Sequence, residues 1–435
     1  MPFVSVVNLG CRVNRVESDR MTADLVRAGF ALVDEDDADL VVINTCAVTG
    51  EAEAKTRKAV RHAANLPRQP YVIVTGCVVN LHPDALTELS PRVIAEPMKS
   101  DVARTAARLL DYDGGLWPDG ADAAPDARDI AQMLGRSRLG IKIQDGCNNR
   151  CTYCIVWKAR GPERSVPVDA VLAQVREAID AGVPEVVLTG VNLGAYDAED
   201  ERDAHVEIDD LLDRILTQTD IPHVRLSSIE PMDVSERLIR RMAASPARVA
   251  PFLHLPVQSG CTTTLERMGR PYTAEEFERT VASIRAVLPQ IAISGDLIVG
   301  FPGETDEEFE QTRAFVERVG FSRLHVFRYS ARPGTIAADM PDQVPPEVMA
   351  ERSAVIRGLV EQTARRDREA RVGTVERAVI EYPGRGTLGS FHRVRLDGAD
   401  DVPVASLVDV AIMYMDEEGE LHGRIVPSVS ASEAQ

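Results

Sequence analysis

The sequence predicts an α/β protein in three successive parts. These are an N-terminal doubly wound parallel sheet, a central partial (β/α)6 barrel and a small all-β barrel towards the C-terminal end. Three observations carry this. Apolar strand-like runs alternate with amphipathic helical stretches through residues 1 to 110, and again from Leu139 onward. The segment DYDGGLWPDGADAAPDARD, rich in Asp, Gly, Pro and Ala, separates the two series. After Val372 the helical pattern stops, and short β runs with turn residues take over. With 435 residues, 44% of them hydrophobic, the chain can bury several cores.

In the first part, FVSVVNLG, ADLVVINT and YVIVTG read as buried parallel strands. Helices fall in SDRMTADLVRAGF and after Thr49, which gives a domain over 1–112 and a linker over 113–135. In the second part, LGIKIQ, PEVVLTG, HVRLSSI, FLHLPV, IAISGDLIV and RLHVFRYS are six strand candidates, separated by helices such as VDAVLAQVREAIDAG. Without an obvious seventh and eighth unit they suggest an open version of the eight-stranded barrel over 136–370. The runs VERAVIEY, FHRVRL and DVAIMYM, with turns PGRG and DEEGE, predict the small barrel over 371–430.

No run approaches the ~18 apolar residues of a membrane span, so no membrane partner is expected. The opening MPFVSVVNLG lacks the basic-then-apolar layout of a signal peptide, and a cytoplasmic location is the expectation. The net charge of −19 argues against a wholesale nucleic-acid coat. Locally the balance differs. Lys55 to Arg68 holds five Lys or Arg and no acid, and Arg136 to Arg164 holds seven basic residues against Asp145 and Glu163. Basic stretches beside cysteine motifs on an acidic chain suggest an anionic substrate met locally.

Seven cysteines fall at 11, 46, 77, 147, 151, 154 and 261. In a reducing compartment they read as metal ligands or reactive thiols rather than disulfides. Cys147, Cys151 and Cys154 lie in GCNNRCTYC, just after the first strand of the second series, the end of a barrel strand where chemistry is done. Three thiolates suit a [4Fe–4S] cluster whose fourth iron accepts another ligand. Zinc with a distant fourth ligand, or unrelated structural thiols, are the alternatives. Cys11, Cys46 and Cys77 have no local motif, but each follows an apolar run: VVNLGC, VVINTC and VIVTGC. Such ends emerge on one side of a parallel sheet, so the three converge if their strands are neighbours; the alternative is a chance trio of buried thiols. Cys261 reads as an incidental packed thiol.

The spacing C-x3-C-x-aromatic-C, with Tyr153 as the aromatic, resembles the radical S-adenosylmethionine (SAM) superfamily. Across most of the chain, LGCRVNRVES, INTCAVT, VTGC, IQDGCNNRCTYCIV, RLSSIEP, HLPVQSG, RMGRPYT and DLIVGFPGET resemble the methylthiotransferases. The wording around Cys46, IQDGC and HVFRYSARPGT is most similar to the branch acting on N6-threonylcarbamoyladenosine at tRNA position 37.

The resemblance implies two [4Fe–4S] clusters, with a radical SAM barrel at the centre and a TRAM-like C-terminal barrel. Cys147, Cys151 and Cys154 would hold the catalytic cluster, and Cys11, Cys46 and Cys77 an auxiliary one. It implies that SAM is bound near Tyr153, Gly190, Asn192, Glu230, Gln258 and Gly300. A low-potential electron donor and a sulfur source are implied partners. The tRNA anticodon loop would be the substrate, with Arg160, Arg164, Arg393 and Arg395 among candidate contacts. On the C-terminal barrel, Arg371, Arg377, Arg385, His392, Arg393 and Arg395 are expected to form a basic face if the strands gather them. A ribosomal-protein aspartate, isopentenyladenosine in tRNA and a non-enzymatic metal-cluster tRNA-binding module are the alternative readings.

Overall fold

The computed structural model describes residues 1–112, 127–200 and 204–427. These residues form two compact units: one from Met1–Gly135, Asp145–Glu163 and Ser330–Thr335, the other from Arg136–Gln144, Arg164–Tyr329 and Ile336–Gln435. The segment bearing Cys147, Cys151 and Cys154 therefore belongs to the same unit as Cys11, Cys46 and Cys77. Residues 113–126 of the expected linker lie outside the described residues. Ala127–Leu134, also within that linker, is helical; its apolar positions Ile130, Ala131 and Leu134 recur at helical spacing.

The first unit contains a five-stranded parallel sheet built from β1 (Phe3–Asn8), β2 (Ala31–Leu32), β3 (Leu40–Thr45), β4 (Tyr71–Gly76) and β5 (Val93–Ala95). Its order is β2-β1-β3-β4-β5, a doubly wound arrangement that switches direction between β1 and β3. Side chains of β3 alternate between two cores. Val41 and Ile43 pack with Val60 and Ala63 of helix α2 (Gly50–Ala64), and Leu40 and Val42 pack with Met21 and Leu25 of helix α1 (Arg12–Arg27). The edge strands β2 and β5 have two and three residues, too few to show a period in sequence.

In the second unit, Arg138–Lys142, Glu185–Thr189 and His223–Leu226 form one parallel sheet, and Phe252–His254, Ala292–Val299 and Arg323–Arg328 form another. Parallel bridges Val224–Val249 and Ser228–His254 join the two, giving a six-stranded open barrel. Two of its outer helices, Ala274–Val287 and Asp306–Val319, start with complete capping boxes, Thr273 with Glu276 and Thr305 with Glu308. The strands Val375–Tyr382, Arg385–Leu388, Arg393–Leu396, Leu407–Met415 and Leu421–Val426 close into a TRAM-like barrel. Alternate residues such as Ala378, Ile380, Val394 and Val410 fill it.

A buried ionic group fastens this small barrel to the beginnings of several of the parallel strands. Glu185, fully buried, accepts hydrogen bonds from His223 Nδ1 (2.6 Å) and from Arg225 Nε (2.9 Å) and Nη2 (3.1 Å). Arg225 Nη1 donates to the Gly389 carbonyl (2.6 Å), and Nη2 also donates to the Leu388 carbonyl (3.1 Å). Phe391, held at φ 71°, packs at a tilt with its ring centroid 5.0 Å from that of Phe252 and lies beneath the guanidinium groups of Arg138, Arg225 and Arg323. Burial alone would raise the Glu185 carboxyl pKa, but Arg225 and His223 overturn that and hold it well below the usual carboxylate range. The stability linked to this group is thus present above the unfolded carboxylate pKa of about 4.3 and is lost as pH falls through the lower folded value.

Removing the carboxylate strands a buried arginine. Glu185→Ala is expected to cost about 3–5 kcal/mol in chemical denaturation at neutral pH, a loss that shrinks towards acidic pH.

Candidate metal centre

The strands β1, β3 and β4 that lead to Cys11, Cys46 and Cys77 are adjacent. Their ends are level, with Asn8 paired to Asn44 and Thr45 to Gly76. The loops after them are tied by side chains rather than by regular structure. Asn14 Nδ2 donates to the Leu9 carbonyl (2.8 Å) and the Thr45 carbonyl (2.9 Å). Asn44 Nδ2 donates to the Asn14 carbonyl (3.0 Å) and Ser18 Oγ (3.1 Å). Thr45 Oγ1 accepts from Val78 N (3.1 Å), at the start of helix α3 (Cys77–Leu81).

Burial pushes the Cys46 thiol up to about 11, and neighbouring Cys11 and Cys77 add to the shift. Burial also raises the Cys77 thiol, against the pull of Arg160 and Lys99. Cys11 is exposed, while Cys46 and Cys77 are buried.

The second set lies in the same unit. Cys151 is buried, and Cys147 and Cys154 are half-buried. Gly146, at φ 73°, brings the chain so close to the following turn that an added Cβ would stand 1.9 Å from the Pro162 carbonyl oxygen. The amide of Cys147 donates to the Gly161 carbonyl (3.2 Å), and that of Val156 donates to Cys154 Sγ (3.4 Å). The short helix Val156–Arg160 packs through Ile155 and Ala159 into the core that holds Cys77, Val78 and Val79. Asn80 Nδ2 donates to the Ala159 carbonyl (2.9 Å).

Arg160, expected among the substrate contacts, is instead buried among protein groups. Its Nη1 donates to Glu17 Oε1 (3.0 Å) and Asp145 Oδ1 (2.9 Å), and its Nη2 to Asn14 Oδ1 (2.6 Å) and Glu17 Oε2 (3.2 Å). Burial opposes its charge, but Glu17, Cys77 and Asp145 more than offset that, so it stays protonated. No local spacing signals this cluster, since Glu17 and Asn14 lie far from Arg160 along the chain. Trp157 is half-buried under Arg150, whose guanidinium lies 4.4 Å from the indole centroid. Tyr153 is half-buried and Arg164 is exposed.

In the second unit, the residues expected to hold SAM stand at the C-terminal ends of the parallel strands, and most are engaged in bonding the strand ends together. Gly190 is buried where an added Cβ would sit 3.0 Å from Gln144. Gln144 Oε1 accepts from the Val191 (2.9 Å) and Asn192 (3.1 Å) amides. Asn192 Oδ1 accepts from Gly194 N and Glu230 N (both 3.1 Å), and its Nδ2 donates to Asp233 (2.8 Å). Burial raises the Glu230 carboxyl, while its ion-pair partner Arg270 opposes the shift. Gln258 has φ 67° and bridges to Leu297, and the Gly300 amide donates to Glu304 Oε2 (2.5 Å). The buried Ser227 hydroxyl, at the end of His223–Leu226, has no hydrogen-bond partner among the described residues. Cys261 is buried elsewhere, its thiol on Gln311 Oε1 (3.3 Å), as expected of an incidental thiol.

On the small barrel the expected six-residue basic face does not form. Arg371 is buried against Glu376 and Asp367, His392 bonds Asp367, and Arg377 pairs with Asp409. Arg385, Arg393 and Arg395 remain exposed. Strand register places Tyr382 beside Arg385, Arg385 beside Arg395, Arg395 beside His422, and His422 beside Tyr414, a row running across all five strands. Tyr382 and Tyr414 are 69% and 47% exposed. Sequence reading missed the two tyrosines, although alternate exposure along the strands was the available signal.

A six-stranded open barrel with a C-x3-C-x2-C loop after its first strand defines the radical SAM class. Residues 141–316 match the Radical SAM superfamily, and residues 4–95 match a family described as Uncharacterized protein family UPF0004. The threonylcarbamoyladenosine tRNA methylthiotransferase MtaB of Thermotoga maritima is 33% identical over 431 residues, covering 93% of this chain and 97% of that protein. The MtaB protein of Bacillus subtilis is 37% identical, covering 84% of this chain and 82% of that protein. The tRNA-2-methylthio-N(6)-dimethylallyladenosine synthase of Bordetella pertussis is 33% identical, covering 96% of each.

Among solved structures, the radical SAM methyltransferase TsrM from Kitasatospora setae aligns with a TM-score of 0.52 at 17% identity, over 75% of this chain and 73% of that one, a likeness of fold. The chain belongs to the methylthiotransferase family of radical SAM enzymes.

Membership implies SAM and a [4Fe–4S] cluster, and the residues present fit them. All seven cysteines are free of disulfides, leaving soft donors available. The unpartnered Ser227 hydroxyl offers a polar contact of the sort a nucleoside engages. At the other cysteine set, a Cβ on Gly10 would come within 2.8 Å of Cys46 Sγ, so only glycine leaves room beside that sulfur.

Because the turn after Gly146 has no room for a methyl group, Gly146→Ala is expected to lower iron bound through Cys147, Cys151 and Cys154. Iron per chain after anaerobic reconstitution measures it. Gly358→Ala, within the helix Pro346–Arg371 and where an added Cβ meets nothing within 4 Å, should leave iron unchanged.

Proposed function

We propose that the protein methylthiolates C2 of N6-threonylcarbamoyladenosine at position 37 of tRNA, using two [4Fe–4S] clusters. The observation that carries the two-cluster reading is the presence of Cys11, Cys46 and Cys77 at the level ends of three adjacent strands, a second three-thiol set beside the C-x3-C-x2-C loop. The choice of substrate follows the names of full-length relatives at 33–37% identity. The Bordetella relative, at 33% over 96% of the chain, favours N6-dimethylallyladenosine as the second reading.

On this reading 1–112 is the auxiliary-cluster domain, 136–370 the SAM-binding core and 371–430 the domain that holds RNA. When bound, the cluster on Cys147, Cys151 and Cys154 together with SAM supplies one-electron chemistry, which a C–H bond too inert for acid–base side chains requires. The chain's own residues bind and orient. The six cysteines supply thiolates, Trp157 with Arg150 shields the cysteine loop, and Gln144 and Asn192 fix the strand ends around the cofactor. Arg164 stays a candidate contact for substrate phosphate. Sulfur source and electron donor are further partners that this chemistry requires.

The row across the small barrel supports an RNA partner. Arg385 and Arg395 stand directly opposite each other, and like charges in that position cost stability unless an anion lies over them. Arg393 shares their face, two residues along the strand. The exposed tyrosines at both ends offer flat surfaces on which bases stack.

Two outcomes are expected. Reconstituted protein should bind about eight irons per chain, falling to about half when Cys11, Cys46 and Cys77 are all replaced by alanine. Mass spectrometry of tRNA nucleosides from a deletion strain should then show loss of the 2-methylthio group from threonylcarbamoyladenosine. Loss from dimethylallyladenosine instead would select the second reading, and unchanged tRNA would reject both.

Arg385→Ala and Arg395→Ala should each weaken tRNA binding and reduce the salt dependence of log K by roughly one ion per arginine, read from filter binding across a salt series. Tyr382→Ala should weaken binding without changing that slope.

A further inference from the structure

We infer that Arg160 is a positioning residue that ties the loop bearing Cys147, Cys151 and Cys154 to the loops bearing Cys11, Cys46 and Cys77, fixing the two thiol sets relative to each other. The inference rests on the two-cluster reading above. Arg160 lies six residues after Cys154, at the end of the short helix that the cysteine loop leads into. Its side chain is 4% exposed, and it bonds to two different places. Asp145 Oδ1, on one side, also accepts the Gly146 amide (2.9 Å) and so sets the start of the Cys147 loop. Glu17 and Asn14, on the other side, belong to α1, which begins immediately after Cys11.

From Asn14 the connection continues. Its amide group holds the Leu9 and Thr45 carbonyls, which flank Cys11 and Cys46, and Thr45 Oγ1 holds the Val78 amide next to Cys77. One chain of hydrogen bonds therefore runs from the residue before Gly146 to the neighbours of all three dispersed cysteines. Lys99 Nζ lies 3.0 Å from Glu17 Oε2, so a second cation joins Arg160 at the carboxylates of Glu17 and Asp145. The planar guanidinium matters as much as its charge. Nη1 is shared between carboxylates on separate segments while Nη2 reaches Asn14, a geometry that a single ammonium does not reproduce.

A residue that merely stabilised its own helix would leave the distant thiol set untouched, and this separates the two roles. The test uses the full chain with Cys147, Cys151 and Cys154 replaced by alanine, so that iron is held by Cys11, Cys46 and Cys77 alone. Into it are introduced Arg160→Gln, Arg160→Lys and Asp145→Asn, with Arg332→Gln as a control that breaks the buried Arg332–Glu53 pair in the same unit. Chelator-driven iron release, the EPR spectrum of the reduced cluster and the melting temperature of the iron-free chain are recorded.

Arg160→Gln and Asp145→Asn are expected to speed iron release by about 10–100-fold and to alter the EPR line shape. Arg160→Lys should recover little, and Arg332→Gln should change neither readout. Unchanged release and spectrum in Asp145→Asn, or full recovery by Arg160→Lys, overturns the inference. So does a fall in melting temperature alone. Absence of iron from the triple-alanine chain overturns instead the two-cluster reading, before Arg160 is tested.

Discussion

The level parallel register of β1, β3 and β4 is the constraint on which the N-terminal site depends. Cysteines separated by some thirty residues share one edge only because Asn8, Asn44 and Thr75 lie across from one another in adjacent strands. A slip of one residue in any of these pairings would turn alternate side chains to the opposite face and exchange the two cores. It would also remove each cysteine from its neighbours. The apolar alternation of β3 between the two cores thus protects the site without touching it.

Two buried ionic groups serve different ends in this fold. Around Glu185, an arginine, a histidine and two backbone carbonyls satisfy the polar groups where the small barrel meets the strand beginnings. Around Arg160, two carboxylates, an amide oxygen and a nearby lysine satisfy the charges where the cysteine loops meet. Neither is an economical way to gain stability, because desolvating ions offsets most of their attraction. What each provides is direction: a guanidinium held by several acceptors fixes the segments that carry them in one arrangement.

The fold class was legible in the sequence because apolar periodicity records burial directly. Each of the six barrel strands coincides with a segment read as a strand, Arg138 alone falling one residue outside, and the C-x3-C-x2-C loop identified itself through local spacing. The edge strands β2 and β5 were too short to show a period, and Ala127–Leu134 was hidden in a segment whose composition resembles a linker. The dispersed thiols were legible as candidates but not as a set, since strand adjacency is a tertiary fact. The Arg160 cluster was missed for the same reason: its members are isolated polar residues that gain meaning only from partners on distant segments. The basic face expected on the small barrel shrank because carboxylates both inside its strands, Glu376 and Asp409, and outside them, Asp367, engage Arg371, Arg377 and His392.

The seat of Phe391 has a consequence for size. It meets Arg138, Phe252 and Arg323, the first residues of their strands, so the small barrel is fixed at the opposite end from Gly190, Asn192 and Glu230. The eight residues of Ala292–Val299 alone span roughly 25 Å at about 3.3 Å per residue. A molecule that touches both the arginine row and the strand ends has to bridge a gap of that order. A free nucleoside is too short to do so, while a folded polynucleotide is long enough, and the distance itself becomes a filter on what is admitted.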